Sequence, residues 1–178
     1  MQTTVKNNLS EKYSKGTIVI HWLSLLLILA MIPTGSIMAD LPAGPEKIQL
    51  YKVHFILGNL IFLLTLLRTW FFFKKPRPAK LETGSAFHNK LVIWIEYSFY
   101  WVLIFLALSG IITNISAELG EAVMSGDYNL LPTDMDFPSL EVHEILVKLL
   151  IALLIAHVLG VIMHYLRHKE NTLKRILP

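Results

Sequence analysis

The chain has 178 residues, of which 54% are hydrophobic and 16% charged, and its mean hydropathy is +0.54, too apolar for an ordinary soluble domain. It has no cysteine, which excludes disulfides, thiolate-ligated haem and cysteine-held iron–sulfur clusters and leaves histidine as the natural metal or haem ligand. A net charge of +3 and a pI near 9.1 do not imply nucleic-acid binding, because the basic residues flank hydrophobic segments and form no contiguous patch.

Four apolar stretches follow one another, at about 18–39, 48–73, 91–114 and 140–165, each long enough for a helix of the roughly 20 residues that cross a bilayer. The first is too long for the apolar core of a signal peptide and follows a polar arm, so it reads as a retained helix. Breakers separate the stretches: Pro42 and Pro45, then Pro76 and Pro78, then Pro132 and Pro138. The expected fold is all-α: an integral membrane four-helix bundle forming a single domain over residues 1–178.

Lys6, Lys12 and Lys15 precede the first helix, Lys74, Lys75, Arg77, Lys80 and Lys90 surround the second connection, and Arg167, Lys169, Lys174 and Arg175 follow the fourth helix. The third connection, 114–142, carries Glu118, Glu121, Asp127, Asp134, Asp136 and Glu141 and no Lys or Arg. Lys and Arg in short loops stay on the cytoplasmic side, so both termini are expected inside a bacterial inner membrane and the long third loop outside.

Histidine at membrane depth is costly and needs a partner. His21 lies near the inner end of the first helix and His54 near the outer end of the second, while the fourth helix carries His143, His157 and His164. Steps of 14 and then 7 residues return to nearly one helical face. At 1.5 Å per residue, His143 and His157 differ in height by roughly 21 Å. Matching depths gives an outer pair, His54 with His143, and an inner pair, His21 with His157, although His164 is an alternative to His157. Two imidazoles per iron leave no open position for oxygen, so two haem b groups lying between the helices and serving electron transfer are expected. The same 14-residue step is too long for one zinc or copper ion.

Further residues fall near these layers. Arg68, deep in the second helix, suits a haem propionate or snorkels to the inner interface. Glu96 is either a proton acceptor or a buried neutral carboxyl, and His164 faces a propionate or interfacial water. His88 and His168 sit among surface basic residues. Lys47 and Lys52, beside His54, are placed to attract a small anion.

Ile20-His21-Trp22, Val53-His54-Phe55 with Arg68 fourteen residues on, His143-Glu144 followed by His157 and His164, and the ending from Lys169 to Pro178 together resemble the bacterial cytochrome b-561 family. The resemblance covers nearly the whole chain. It implies the ligand pairing already reached from depth, and an oxidoreductase activity that takes electrons from superoxide at the periplasmic side and delivers them to ubiquinone. It also implies a quinone site near the inner end of the fourth helix, for which His164, Glu96 and Lys90 are the candidates. The alternative function is a b-type cytochrome relaying electrons between the quinol pool and a periplasmic or membrane redox partner. The chain departs from the family pattern where Phe87 and Lys90 replace two histidines three apart, and where Phe72 replaces an arginine four residues beyond Arg68.

Overall fold

The computed structural model describes residues 10–178, so Lys6, counted above among the basic residues before the first helix, lies outside them. Their regular structure is all helical, with no strand among the described residues, and the elements are α1 (Lys15–Asp40), α2 (Pro45–Lys74), α3 (Ala86–Ser116), α4 (Leu119–Ser125) and α5 (Pro138–His168), with single 3-10 turns at Tyr128–Leu130 and Thr172–Arg175. α1, α2, α3 and α5 are long and apolar enough to cross a membrane. Each runs beyond the apolar stretch that announced it, because its first turn is stabilised by other means than hydrophobicity. The Ser14 hydroxyl accepts from the Thr17 amide at 3.3 Å and that of Ser85 from the His88 amide at 3.5 Å. Pro45 and Pro138, expected as loop breakers, instead open α2 and α5, where a missing N–H costs nothing.

The four long helices alternate in direction. One end of the bundle gathers residues 10–15, the connection 75–85 and the segment 169–178, and is called the basic end. The other carries the connection 41–44 and the long segment 117–137, and is called the loop end. α1 packs along α2 and α3 along α5, with a thinner seam between α2 and α3. α5 makes no extended close contact with α1 or α2, which leaves a slot between the α1–α2 pair and α5.

At mid-height Ile28, Ile61, Val102 and Leu150, one from each long helix, form a buried cluster. Leu150 is seven residues from both His143 and His157, Ile28 seven from His21 and Ile61 seven from His54, so this apolar layer lies about 10 Å along the helices from each histidine. Outward-facing Leu26, Ile56, Leu63, Trp101 and Ile155 are each more than half exposed, a surface that only lipid covers at low cost. Threonine hydroxyls in the helices are satisfied locally: those of Thr34, Thr65, Thr69 and Thr113 donate to the carbonyl one turn back at 2.7–2.9 Å.

The loop end carries structure that periodicity did not announce. Leu119, Ala122 and Val123 of α4 are buried, and Leu119 and Val123 pack in one cluster with Tyr51 and Ala117, flanked by Met38, Phe55, Leu131, Met135 and Phe137. Gly126 ends α4 at φ 78°, a conformation that only glycine adopts without strain. This cap sits over the helix ends that carry His54 and His143.

Candidate functional site

Four imidazoles line the slot in two layers. At the loop end His54 of α2 and His143 of α5 face each other with ring centres 6.2 Å apart and planes at 60°. Two imidazoles bound to one metal by bonds of about 2 Å place their ring centres roughly 6 Å apart, so the spacing fits a shared ion between them. The His143 ring is tethered: Nδ1 lies 3.0 Å from the Leu106 carbonyl and 3.1 Å from the Ser109 oxygen, and the Ser109 hydroxyl itself donates to the same carbonyl at 2.9 Å. Nδ1 therefore carries the hydrogen and donates, which leaves the Nε2 lone pair for a metal.

Glycines stand in front of both rings. A methyl at Gly35 would meet His54 Cε1 at 3.4 Å, and one at Gly110 would meet His143 Cε1 at 3.2 Å and Nδ1 at 3.3 Å. The Nδ1 atoms of His54 and His21 are buried without a hydrogen-bond partner, a cost that membrane depth raises unless the other ring nitrogen is engaged.

At the basic end His21 of α1 and His157 of α5 are electrostatic neighbours, and the Arg68 guanidinium of α2 acts on both. Phe99 meets the His157 ring edge-on at 5.7 Å, Trp22 meets His21 edge-on at 5.5 Å, and the Arg68 guanidinium lies 5.8 Å from the Tyr100 ring centre. His157 is exposed, and a methyl at Gly160 would meet nothing within 4 Å, so the slot is open beside it. Among the described residues no three His, Cys, Asp or Glu side chains gather as for a metal ion. The imidazoles come in twos, the number an iron needs when a planar macrocycle supplies its other donors. The spacing, the tether, the glycine cradles and the orphaned nitrogens fit haem.

The structure brings together His54 with His143, and His21 with His157 and Arg68. It does not join Lys90, Glu96 and His164 to one another. Glu96 forms an ion pair with Arg77, whose guanidinium lies 4.0 Å from the Phe72 ring centre. His164 Nε2 meets Glu170 Oε2 at 3.1 Å, and its ring lies 4.7 Å from that of His168. Lys90 is exposed on α3, as is His88. At the loop end the Lys47 ammonium donates to the Leu41 carbonyl at 2.7 Å and lines a cleft of about 230 Å³ with Pro42, Tyr51, Leu131 and Met135. The Ser109 and Leu106 tether on His143 and the contacts of Trp22 escaped the sequence reading. The adjacent small residues Ser109 and Gly110 were the one available signal.

The profile of the family described as "Prokaryotic cytochrome b561" matches residues 12–178. The chain is also similar to "Cytochrome b561 homolog 1" of Escherichia coli (strain K12), 22% identical over 174 residues that cover 94% of this chain and 98% of that protein.

Proposed function

Because this chain belongs to the prokaryotic cytochrome b561 family, and is therefore an integral membrane b-type cytochrome that transfers electrons, we propose that it holds two haem b groups and moves electrons from superoxide to ubiquinone. His54 and His143 hold one group and His21 and His157 the other. The observation that carries this reading is the 6.2 Å approach of the His54 and His143 rings from opposite sides of the slot, with a second imidazole pair roughly 21 Å further along the same helix.

Haem would supply one-electron redox chemistry, and two histidines holding it would favour electron transfer over oxygen binding. The chain's residues do the rest. Ser109 and the Leu106 carbonyl orient His143. Arg68 offers a bidentate cation for a propionate near His21 and His157. Ile28, Ile61, Val102 and Leu150 keep water out of the space between the layers. Lys47 and Lys52, on the first two turns of α2 and within three turns of His54, raise the local concentration of a small anion. Two superoxide ions each lose one electron to become oxygen, and ubiquinone takes up those two electrons with two protons. Glu96, His164 and Lys90 at the basic end are the candidates for the quinone side, although each has a separate environment.

The distribution of Lys and Arg supports an inner-membrane placement with both termini cytoplasmic and the loop end periplasmic. Adding superoxide to the purified protein tests the reading: the haem bands should change to the reduced form and revert on adding ubiquinone. Bands that respond to neither reagent would remove the proposal. A second reading, electron relay to a periplasmic protein, is favoured by one observation, the exposure of Glu118, Glu121, Asp127, Asp134, Asp136 and Glu141 at the loop end. It predicts salt-sensitive copurification of a basic redox protein and no turnover by the isolated chain.

A further inference from the structure

We propose that the segment 171–178 is a strap that positions His21 through Trp22 and shields the basic-end site from water. The inference rests on the reading of His21 as a haem ligand.

The two layers orient their histidines differently. His143 is tethered through Nδ1, whereas the Nδ1 of His21 is buried without a partner, so the chain orients the His21 ring by packing and not by a hydrogen bond at Nδ1. The group packed edge-on against it is the Trp22 indole, 5.5 Å away at 88°. An interfacial tryptophan usually turns its N–H toward headgroups. That of Trp22 instead donates to the Ile176 carbonyl at 2.8 Å, 154 residues away. The indole thus lies between the His21 ring and the strap.

The strap is itself held by groups from several parts of the chain. Asn171 caps its 3-10 turn by accepting from the Leu173 amide at 3.1 Å. Arg175 is only 5% exposed. Its Nη2 donates to the Ala79 carbonyl at 2.5 Å and its Nε to the Glu11 carbonyl at 3.4 Å. The Tyr13 amide donates to the Arg175 carbonyl at 3.0 Å, and the Lys12 ammonium reaches the Leu177 and Pro178 carbonyls at 3.3 and 3.2 Å. One guanidinium therefore fastens the segment to both the approach to α1 and the α2–α3 connection. A segment following a last helix ordinarily frays, and burying an arginine to prevent this places its donors on carbonyls that would otherwise need water.

Loosening the strap should free Trp22, let the His21 ring tilt and admit water to the basic-end haem. Water stabilises the additional positive charge of the ferric form, so that haem's potential should fall. The loop-end haem, beyond the mid-height apolar cluster, should not respond.

The experiment is a redox titration of the full-length haem-loaded protein, with haem content measured alongside, for Trp22→Phe and Arg175→Gln. His21→Ala serves as the reference that identifies the wave belonging to the basic-end haem. Trp22→Phe keeps an aromatic ring but removes the indole donor and part of its bulk; Arg175→Gln loosens the strap without touching Trp22, so a shift common to both belongs to the strap. Both variants are expected to retain full haem content, shift the same single wave downward and leave the other unmoved. Two unmoved waves in both variants, or loss of both haems in both, would overturn the strap as a positioning device. Unchanged haem content in His21→Ala would instead remove the ligand assignment beneath it, an outcome distinguishable from the first two.

Discussion

Replacing Gly110 by Ala puts a methyl 3.2 Å from Cε1 and 3.3 Å from Nδ1 of His143, several tenths of an ångström inside the usual carbon contact of about 3.5–4.0 Å. The ring has little room to yield. Its Nδ1 is tied to the Leu106 carbonyl and the Ser109 oxygen, both on the helix that carries the new methyl, so relief means breaking the tether or moving α5. Without haem the ring can turn away, but an iron held on Nε2 removes that freedom. Overpacking of this kind costs about 1–3 kcal/mol, which as a binding penalty is roughly a 5- to 150-fold loss of affinity for the loop-end haem. The helix-propensity gain of Gly to Ala, up to about 1 kcal/mol, applies with and without haem and cancels. Gly35→Ala should be milder, because its methyl would stand 3.4 Å from His54 Cε1. Haem retention by each variant during a competition with apomyoglobin, followed by the visible spectrum, measures the difference. The expected order of loss is Gly110→Ala, then Gly35→Ala, then the unaltered chain, with one haem per chain unaffected throughout. Equal retention by all three would refute the cradle.

Other consequences are smaller. Ser109→Ala removes one of two acceptors at His143 Nδ1 while the Leu106 carbonyl remains, so haem content should be unchanged and the loop-end potential should move alone, read by redox titration. Lys47→Gln with Lys52→Gln should lower the rate of haem reduction by superoxide several-fold at low ionic strength, and the deficit should shrink as salt screens the field; stopped-flow mixing at two salt concentrations reads both effects. Glu96→Gln breaks an ion pair whose partners are 33% and 30% exposed, so thermal stability should change by less than about 1 kcal/mol, and any larger effect should appear only in reoxidation by ubiquinone.

The four long helices and the two histidine layers were legible in the sequence because each rests on a periodic signal. Apolar runs of membrane length report helices directly, and the 14-residue step from His143 to His157 repeats one helical face. The helix ends were less legible, since Ser14, Ser85, Pro45 and Pro138 extend the helices through capping and not through hydrophobicity. α4 was missed because seven residues carry too little periodicity to stand out in a polar loop. Beyond the histidine pairs, contacts between helices were not legible. That Arg77 would meet Glu96, that Ser109 would hold His143, and that Ile176 would receive the Trp22 indole depend on which faces turn toward each other. Helix rotation of this kind is set by packing across the whole bundle. His164 illustrates the same limit: its place on the stripe did not announce its contacts with Glu170 and His168.

If two imidazole pairs each hold one haem, the haem content per chain should follow the histidines of α5 one by one. The unaltered protein should contain two haems, His143→Ala and His157→Ala should each contain one, and the double variant none. Full pigment in the double variant would rule out haem ligation by α5, and loss in His164→Ala with retention in His157→Ala would replace His157 by His164 in the inner pair.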